Sequence, residues 1–301
     1  GSLTFYKNGV SQGVNSTGLT GTYFPYAPVA TYNADYNFGQ RPFAYTAPSG
    51  YKCLCTANLP DPTIADGSTA FDAKAFTANN GTQTISGFNF SPDLVWTKSR
   101  ANTYAHQLWD QVRGADKALS SNDTTAEANL SSSLTFTSDG FTSNTNNNAN
   151  YGTGGSIAWA WDAGSSNTSI AAGSISSGVP SIASTVRANP SAGFSIVSYT
   201  GTGSAGTIAH NLNKKPDFVI TKNLTTANYW AVWHSSLTAN KFLRLDLDYA
   251  EDTESNYWTA FDSNVVHVPG SGSALNNVNN SSKEYISFCW TAVEGYSAMG
   301  S

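Results

Sequence analysis

Hydrophobic residues alternate with polar ones along much of this chain, which is the pattern of half-buried β-strands. Phe194–Tyr199 and Phe242–Asp248 alternate in this way, and Ile157–Trp161 and Ile286–Trp290 place aromatic or large apolar residues at every second position. No stretch shows convincing helical periodicity. The pattern therefore predicts an all-β protein built of antiparallel β-sandwich modules in tandem.

Short strands joined by tight turns are predicted in the first sixty residues. Asn8-Gly9 lies between the apolar segment Leu3–Tyr6 and Val10, and this dipeptide suits a two-residue hairpin turn because both turn positions need a positive φ. With so few strands, residues 1–62 are expected to be the C-terminal part of a larger sandwich rather than a complete one.

The remainder of the chain is duplicated. Phe71–Thr77 aligns with Phe194–Thr200 at an offset of 123 residues, and Pro92–Lys98 aligns with Pro216–Lys222 at an offset of 124. Further matched anchors are Trp109 with Trp233 and Trp161 with Trp290. The offset grows slowly while the order is kept, as in a duplicated module with loop insertions. Copied modules are more often structural or binding units than enzymes, so no enzymatic activity is expected.

These observations divide the chain into four parts. Residues 1–62 form the sandwich fragment, residues 63–163 the first copy and residues 191–301 the second copy. Residues 164–190 are rich in Ser, Gly and Ala, with scattered apolar positions. The sequence leaves two alternatives open for this stretch, a flexible linker or a thin edge strand.

Charge and composition exclude several classes of protein. Only 12% of the residues are charged and the net charge is −5, so the clustered Lys and Arg side chains that bind nucleic-acid phosphates are missing. No apolar run is long enough to cross a bilayer, so no membrane insertion is expected. Cys53, Cys55 and Cys289 predict no disulfide framework, and small buried or half-buried thiols are favoured over a metal site.

Several segments resemble known families. Asn37–Phe43, Pro48–Lys52 and Leu54–Pro60 resemble the C-terminal part of SPRY-like, concanavalin-like β-sandwiches of bacteriophage tail proteins. The duplicated part, marked by Gly87–Lys98 and Tyr285–Trp290, resembles an uncharacterised repeat of marine phage virion proteins. The resemblance implies a virion location, with other virion proteins as partners. It also implies that the chain is part of a longer fibre, and it transfers no catalytic residue.

Eight tryptophans supply the candidate ligand-binding chemistry. Trp109, Trp161, Trp233 and Trp290 are in register between the copies, so they are predicted to be core anchors. Tryptophans found in one copy are freer to serve a surface. The predicted sugar-stacking residues are therefore two Tyr-Trp pairs, Tyr229 with Trp230 and Tyr257 with Trp258. Because neighbouring residues of a strand face opposite sides, one member of each pair is expected to point outward.

Metal and acid–base chemistry are weakly indicated. Asp246 and Asp248 share a face of a predicted strand and are the calcium candidates, but the calcium-loop pattern is not met and a solvated acidic loop is favoured. His106, His210, His234 and His267 form no short-spaced metal pair, and His234 takes the place of Asp110 of the first copy. No cofactor is expected.

The predicted function is that of a non-enzymatic tail-fibre or surface-fibre protein that helps a phage particle attach to its host. The expected partner is a host cell-surface glycan, bound through loops of a homo-oligomer, and fibres of this kind are often trimers. Two alternatives stay open: a depolymerase tailspike that cuts surface polysaccharide, and a capsid or tail decoration protein without a ligand.

Overall fold

The protein is described by a computed structural model that covers residues 1–21, 23, 35–52, 62–237, 241–252 and 257–300. It confirms the all-β prediction, with 39% of residues in strands, 3% in helices and antiparallel pairing throughout its sheets. The chain forms two compact units, Gly1–Asp61 and Pro62–Ser301. In the described part of the chain, no helix combines the length and apolar character needed to cross a membrane.

The first unit contains one antiparallel hairpin, β1 (Ser2–Lys7) with β2 (Val10–Thr17). Asn8 and Gly9 form its turn with φ angles of 52° and 79°, which is the geometry that the Asn-Gly dipeptide predicts. Nearly all side chains of the hairpin are exposed. Cys53, Cys55 and the segment Leu54–Pro60 lie outside the described residues.

The first module of the second unit packs a four-stranded sheet on a three-stranded one. The four-stranded sheet has the order β3 (Phe71–Ala78), β11 (Gly154–Trp161), β5 (Leu94–Ser99) and β6 (Gln107–Asp110). The three-stranded sheet has the order β4 (Gln83–Ile85), β10 (Gly140–Ser143) and β9 (Leu134–Thr137). A two-stranded ribbon, β7 (Lys117–Ala118) with β8 (Ala128–Asn129), completes the module.

The second module repeats this plan with a wider main sheet of seven strands. Its order is β12 (Thr168–Ile170), β13 (Ser184–Asn189), β14 (Phe194–Thr200), β21 (Glu284–Trp290), β16 (Phe218–Asn223), β17 (Ala231–His234) and β18 (Leu243–Arg244). The smaller sheet has the order β15 (Gly206–Ala209), β20 (Val265–Val268) and β19 (Ala260–Phe261), and a short helix, α1 (Leu275–Val278), lies between β20 and β21 in the chain.

Strand order shows the duplication directly. β3-β11-β5-β6 of the first module corresponds to β14-β21-β16-β17 of the second, and β4-β10-β9 corresponds to β15-β20-β19. β12, β13 and β18 are additions to the second copy. Residues 164–190 thus contribute β12 and β13, which hydrogen-bond to β14 in the order β12-β13-β14.

Each module has a core between its two sheets. In the first module Trp109 is fully buried with Phe141 and Val95. In the second, Trp233 packs against the corresponding cluster and stacks on Phe261 with ring centroids 3.8 Å apart. The prediction of a core role therefore agrees with the structure for Trp109 and Trp233. Cys289 also lies in the second core, fully buried, and burial raises the pKa of its thiol to about 12.

A third apolar cluster joins the two modules through the outer faces of their main sheets. The first module contributes Leu94, Leu108, Leu119 and Ala163, and the second contributes Phe194, Ile196, Ile220, Trp230, Ile286 and Phe288, all buried. Trp161 and Trp290 are only partly buried and pack against this cluster. The prediction that they are core anchors is met in part, because their rings pack against the layer shared by the two modules and remain partly exposed. On β21, Ile286, Phe288 and Trp290 all face this layer, since residues two apart on a strand share a face.

Polar contacts cross the same interface. The Arg187 guanidinium lies 2.7 Å from the Asp93 carboxylate, and Asn189 Nδ2 donates to Asp162 Oδ2 at 2.7 Å. The Glu127 backbone N–H donates to Leu224 O at 3.0 Å. The two copies consequently share a buried layer and form one structural body.

Candidate functional site

Trp230 is a core residue and Tyr229 is the exposed member of the first Tyr-Trp pair. Trp230 is fully buried, and its indole Nε1–H donates to Ser120 O of the first module at 2.9 Å. Tyr229 is 40% exposed. A ring that stacks on a sugar must reach solvent, so the hypothesis is corrected for Trp230, while Tyr229 keeps the exposure it needs. Trp230 cannot reach solvent because its ring is inserted into the interface between the two modules.

Both members of the second pair are buried. Tyr257 is 4% exposed and stacks on Phe242 with ring centroids 3.7 Å apart, and Asn277 Nδ2 donates to its hydroxyl at 2.7 Å. Trp258 is 8% exposed and packs near Phe261. These two residues precede β19 and lie outside any strand, so the in–out alternation does not apply to them. Neither ring can serve as the stacking platform that the sequence predicted.

Arg244 organises the surface around Tyr229. Its guanidinium carbon lies 4.9 Å from the ring centroid of Tyr229, 5.0 Å from that of Phe242 and 5.8 Å from that of Tyr249. Tyr249 is 61% exposed. Guanidinium groups at this range are attracted to aromatic faces, so Arg244 interacts with two exposed tyrosine rings. β18 carries Arg244 and is the last strand of the seven-stranded sheet, so this surface lies at a sheet edge.

Carboxylates border the same surface. Asp252 Oδ2 forms an ion pair with the Arg244 guanidinium at 3.1 Å. Asp248, which precedes Tyr249 in the chain, is exposed. We call the group formed by Tyr229, Arg244, Asp248, Tyr249 and Asp252 the tyrosine–arginine surface. It combines apolar ring faces with a fork of N–H donors and carboxylate acceptors.

Asp246 and Asp248 do not form a calcium site in this arrangement. Asp246 Oδ1 accepts the Trp230 backbone N–H at 2.9 Å, and burial raises the pKa of this carboxyl. Asp248, in contrast, is exposed. Among the described residues, no group of three or more His, Cys, Asp or Glu side chains is placed to hold a metal ion. Asp246 therefore acts as a turn-holding acceptor next to Trp230, which explains why an acidic residue lies within a mostly apolar segment.

Lys222 is the most deeply buried cation among the described residues. It is fully buried, and its Nζ donates to Asn223 O at 3.0 Å and to Thr124 O of the first module at 3.3 Å. Burial lowers its pKa to about 8. Lys98, its counterpart in the first copy, likewise donates to the carbonyl of the next residue, Ser99, at 2.6 Å. The shared geometry indicates a structural role for both lysines.

The repeated aspartates after proline are also structural. Asp93 Oδ2 accepts the Ala163 N–H at 2.7 Å, and Asp217 Oδ2 accepts the Ala292 N–H at 2.8 Å. Both tie the entrance of one strand to the end of the neighbouring one. Asp110 and its counterpart His234 likewise accept a backbone N–H from two residues ahead, at 3.0 Å in each case. A carboxylate oxygen and an imidazole Nδ1 thus accept the same backbone hydrogen bond in the two copies.

The prediction from the sequence did not include Arg244 and Tyr249 in the candidate site. Their signal was present, because Arg244 is the one cation inside Phe242–Asp248 and Tyr249 follows directly. Pairing of β17 with β18 brings Arg244 opposite Ala231 and so places it beside Tyr229. That pairing joins short segments about 13 residues apart in the sequence and could not be read from alternation alone.

Comparison with known proteins finds one family. The model of a domain of unknown function, DUF7483, matches residues 66–301, which include both modules and the segment between them. No curated protein matches the chain.

Proposed function

We propose that this chain, which belongs to the DUF7483 family over residues 66–301, is a non-enzymatic structural protein of a phage tail fibre or surface fibre that helps the particle attach to its host. The resemblance of its segments to virion proteins supports the location. The fusion of two β modules through a shared buried layer supports a load-bearing role. The observation that carries the attachment role is the pair of exposed tyrosine rings held by Arg244.

The proposed ligand is a host-surface glycan. The C–H face of a pyranose packs on a flat aromatic ring, while its hydroxyl groups require donors and acceptors at the ring edge. Tyr229 and Tyr249 offer the rings, the ion pair of Arg244 with Asp252 offers an N–H donor and a carboxylate acceptor, and the exposed Asp248, which precedes Tyr249 in the chain, offers a further acceptor. No buried hydrophobic pocket is needed, which suits a polymer that is read along a surface.

A single surface of this size is expected to bind weakly. Several linked copies on one particle gain avidity, on the order of 10²-fold or more, when their geometry allows simultaneous contact. Attachment through many weak contacts fits a protein repeated around a fibre, and it also allows detachment and rebinding along the cell surface.

Cell binding tests the proposal. Labelled protein is mixed with a panel of cyanobacterial and other marine bacterial strains, with and without periodate oxidation of the cell surface. We expect saturable, strain-selective binding that periodate abolishes, because periodate cleaves vicinal diols of sugars. Unlabelled protein should compete for the same sites.

Variants connect the signal to the surface. The Tyr229→Ala/Tyr249→Ala protein should lose most of the binding, while Tyr249→Phe should keep the ring and therefore much of the binding. Tyr151→Ala is the matched control, because Tyr151 is 48% exposed and lies in the first module. Binding that is insensitive to periodate, or equal in the double variant and the control, would contradict the proposal.

A further inference from the structure

An aromatic cavity opens between the two modules of Pro62–Ser301. Its volume is about 410 Å³. Seven aromatic side chains line it: Phe71, Trp96, Trp161, Phe194, Phe218, Trp290 and Tyr296. The main sheets of both modules supply all of these rings except Tyr296, on the same face that forms the shared apolar layer, and Tyr296 comes from the segment after β21. We call this space the aromatic cavity.

The rings form the walls without filling the space between them. Phe71 lies against Trp161 with ring centroids 4.8 Å apart, and Phe194 lies against Trp290 at 4.9 Å. These two pairs are counterparts in the duplicated modules. The planes within them are tilted by 46° and 32°, so the rings do not stack flat on one another. Trp96, Trp161, Phe218 and Trp290 are partly exposed, although the layer beside them is buried.

Chemistry of the lining restricts the ligand. None of the described residues that line the cavity is charged. The indole Nε1–H of Trp96 is already donated to His106 Nδ1 at 3.0 Å, and the Ser297 hydroxyl oxygen accepts the Val293 N–H at 3.2 Å. The other polar groups of the lining residues are the indole N–H groups of Trp161 and Trp290 and the Tyr296 hydroxyl, so a charged ligand would lose its water without gaining a counter-charge. An apolar cavity of this kind is instead poorly hydrated and favours apolar guests.

We propose that the aromatic cavity binds an uncharged hydrocarbon group, either the ring of an aromatic molecule or an aliphatic chain. Its volume lies within the range of ligand pockets in proteins, roughly 300–1,000 Å³. Binding removes apolar surface of both partners from water, which is the main driving force available in a site without charges. The site is separate from the tyrosine–arginine surface and does not depend on the proposed attachment function.

The test uses the full chain and the uncharged fluorophore N-phenyl-1-naphthylamine. Tryptophan rings line the cavity, so the bound probe should quench tryptophan emission while its own emission rises. We expect saturable binding of one probe per chain. Naphthalene and 1-decanol then compete with the probe, and their relative strength distinguishes an aromatic ring from an aliphatic chain as the preferred guest.

Two variants fill the cavity. Ala192→Phe adds a ring in the lining, and Met299→Trp adds bulk from the C-terminal segment, where a substitution is less able to disturb a sheet. Each should weaken probe binding by about 10-fold or more, since each removes the space and contact area for the guest. Ala75→Phe and Ala298→Trp are matched controls at exposed positions outside the lining and should leave binding unchanged.

Any of three results would overturn the proposal. Absence of saturable binding to the folded protein would do so, as would equal binding by wild type, Met299→Trp and Ala298→Trp. Decyltrimethylammonium decides whether an uncharged guest is preferred. If this cation displaced the probe more strongly than 1-decanol, the assignment to an uncharged group would be wrong and the rings would form a cation-binding cage instead.

Discussion

Trp161 and Trp290 end the last strand of their respective modules, and their indole rings meet across the module interface with centroids 6.3 Å apart and planes at 70°. An edge-to-face arrangement of this kind is favourable for aromatic pairs. Duplication has thus produced a contact between the two copies of one position. The apolar layer around this pair makes the modules depend on each other.

A single unfolding transition is expected for the two modules. All eight tryptophans lie beyond residue 62, so tryptophan fluorescence reports on Pro62–Ser301 alone. Trp109→Ala in the first core and Val219→Ala in the second should both lower the midpoint of that one transition, because the shared layer couples the two cores. Urea unfolding with fluorescence detection checks this. Two resolved transitions, each shifted by only one of the substitutions, would contradict the account.

Replacement of the neighbours Tyr229 and Trp230 should lower the free energy of unfolding by very different amounts. Trp230→Ala removes a fully buried ring and should destabilise the protein by about 3–5 kcal/mol. Tyr229→Ala removes an exposed ring over Arg244 and should cost less than about 1 kcal/mol. Equilibrium urea unfolding gives both values. Similar losses for the two variants would show that the assignment of inner and outer faces is wrong.

Arg187 is expected to stabilise the folded protein mainly by neutralising the buried Asp93 carboxylate. Burial raises the pKa of Asp93 to about 7, against the opposing effect of the Arg187 guanidinium 2.7 Å away. Arg187→Met should destabilise the protein by up to about 3–5 kcal/mol at pH 8, because the buried Asp93 must then stay ionised without its counter-charge or take up a proton. Adding Asp93→Asn should recover a large part of this loss. Urea unfolding of the two single variants and the double variant measures the coupling, and purely additive losses would argue against it.

Stability should fall in mild acid through His210. This imidazole is fully buried, and burial lowers its pKa from 6.5 to about 4. Above pH 6.5 both the folded and the unfolded states hold it neutral, so it adds no pH dependence there. Between pH 6.5 and 4 the unfolded chain takes up a proton that the folded one refuses, which reduces the free energy of unfolding by up to about 3 kcal/mol.

The matched variant for this pH dependence is His210→Gln. It lacks the titrating group, so its stability should change less between pH 6.5 and 4 than that of the wild type. Urea unfolding across this range compares the two slopes. Identical slopes would exclude His210 as the source of the acid sensitivity.

The modules could be predicted from the sequence, but their packing against each other could not. Alternation within short segments predicts the strands. The nearly constant offset between segments such as Pro92–Lys98 and Pro216–Lys222 predicts the two copies. The same alternation shows that Trp161 and Trp290 face one side of a sheet. It cannot show whether that side meets the small sheet of the same module or the main sheet of the other copy, because both are apolar.

The candidate site was only partly predictable for a similar reason. Tyr229 and Trp230 lie just before β17 and outside any strand, so the rule that neighbouring residues face opposite sides does not decide between them, and the structure shows that Tyr229 is the exposed one. Which residue turns inward depends on Ser120, a partner 110 positions earlier in the chain. Arg244 joins the surface through the short β17–β18 pairing, and tertiary pairing of that kind has little signal in a single sequence.

The most direct test of the proposed attachment function is a side-by-side titration of one strain that binds the labelled protein. The titration compares wild type, Tyr229→Ala/Tyr249→Ala and Tyr151→Ala. Each protein is first shown to unfold at a similar urea concentration, so that a change in binding reflects the surface alone. We expect the wild type and Tyr151→Ala to bind alike, while the double variant loses at least about 10-fold in apparent affinity. Equal binding by all three proteins would contradict the proposed function.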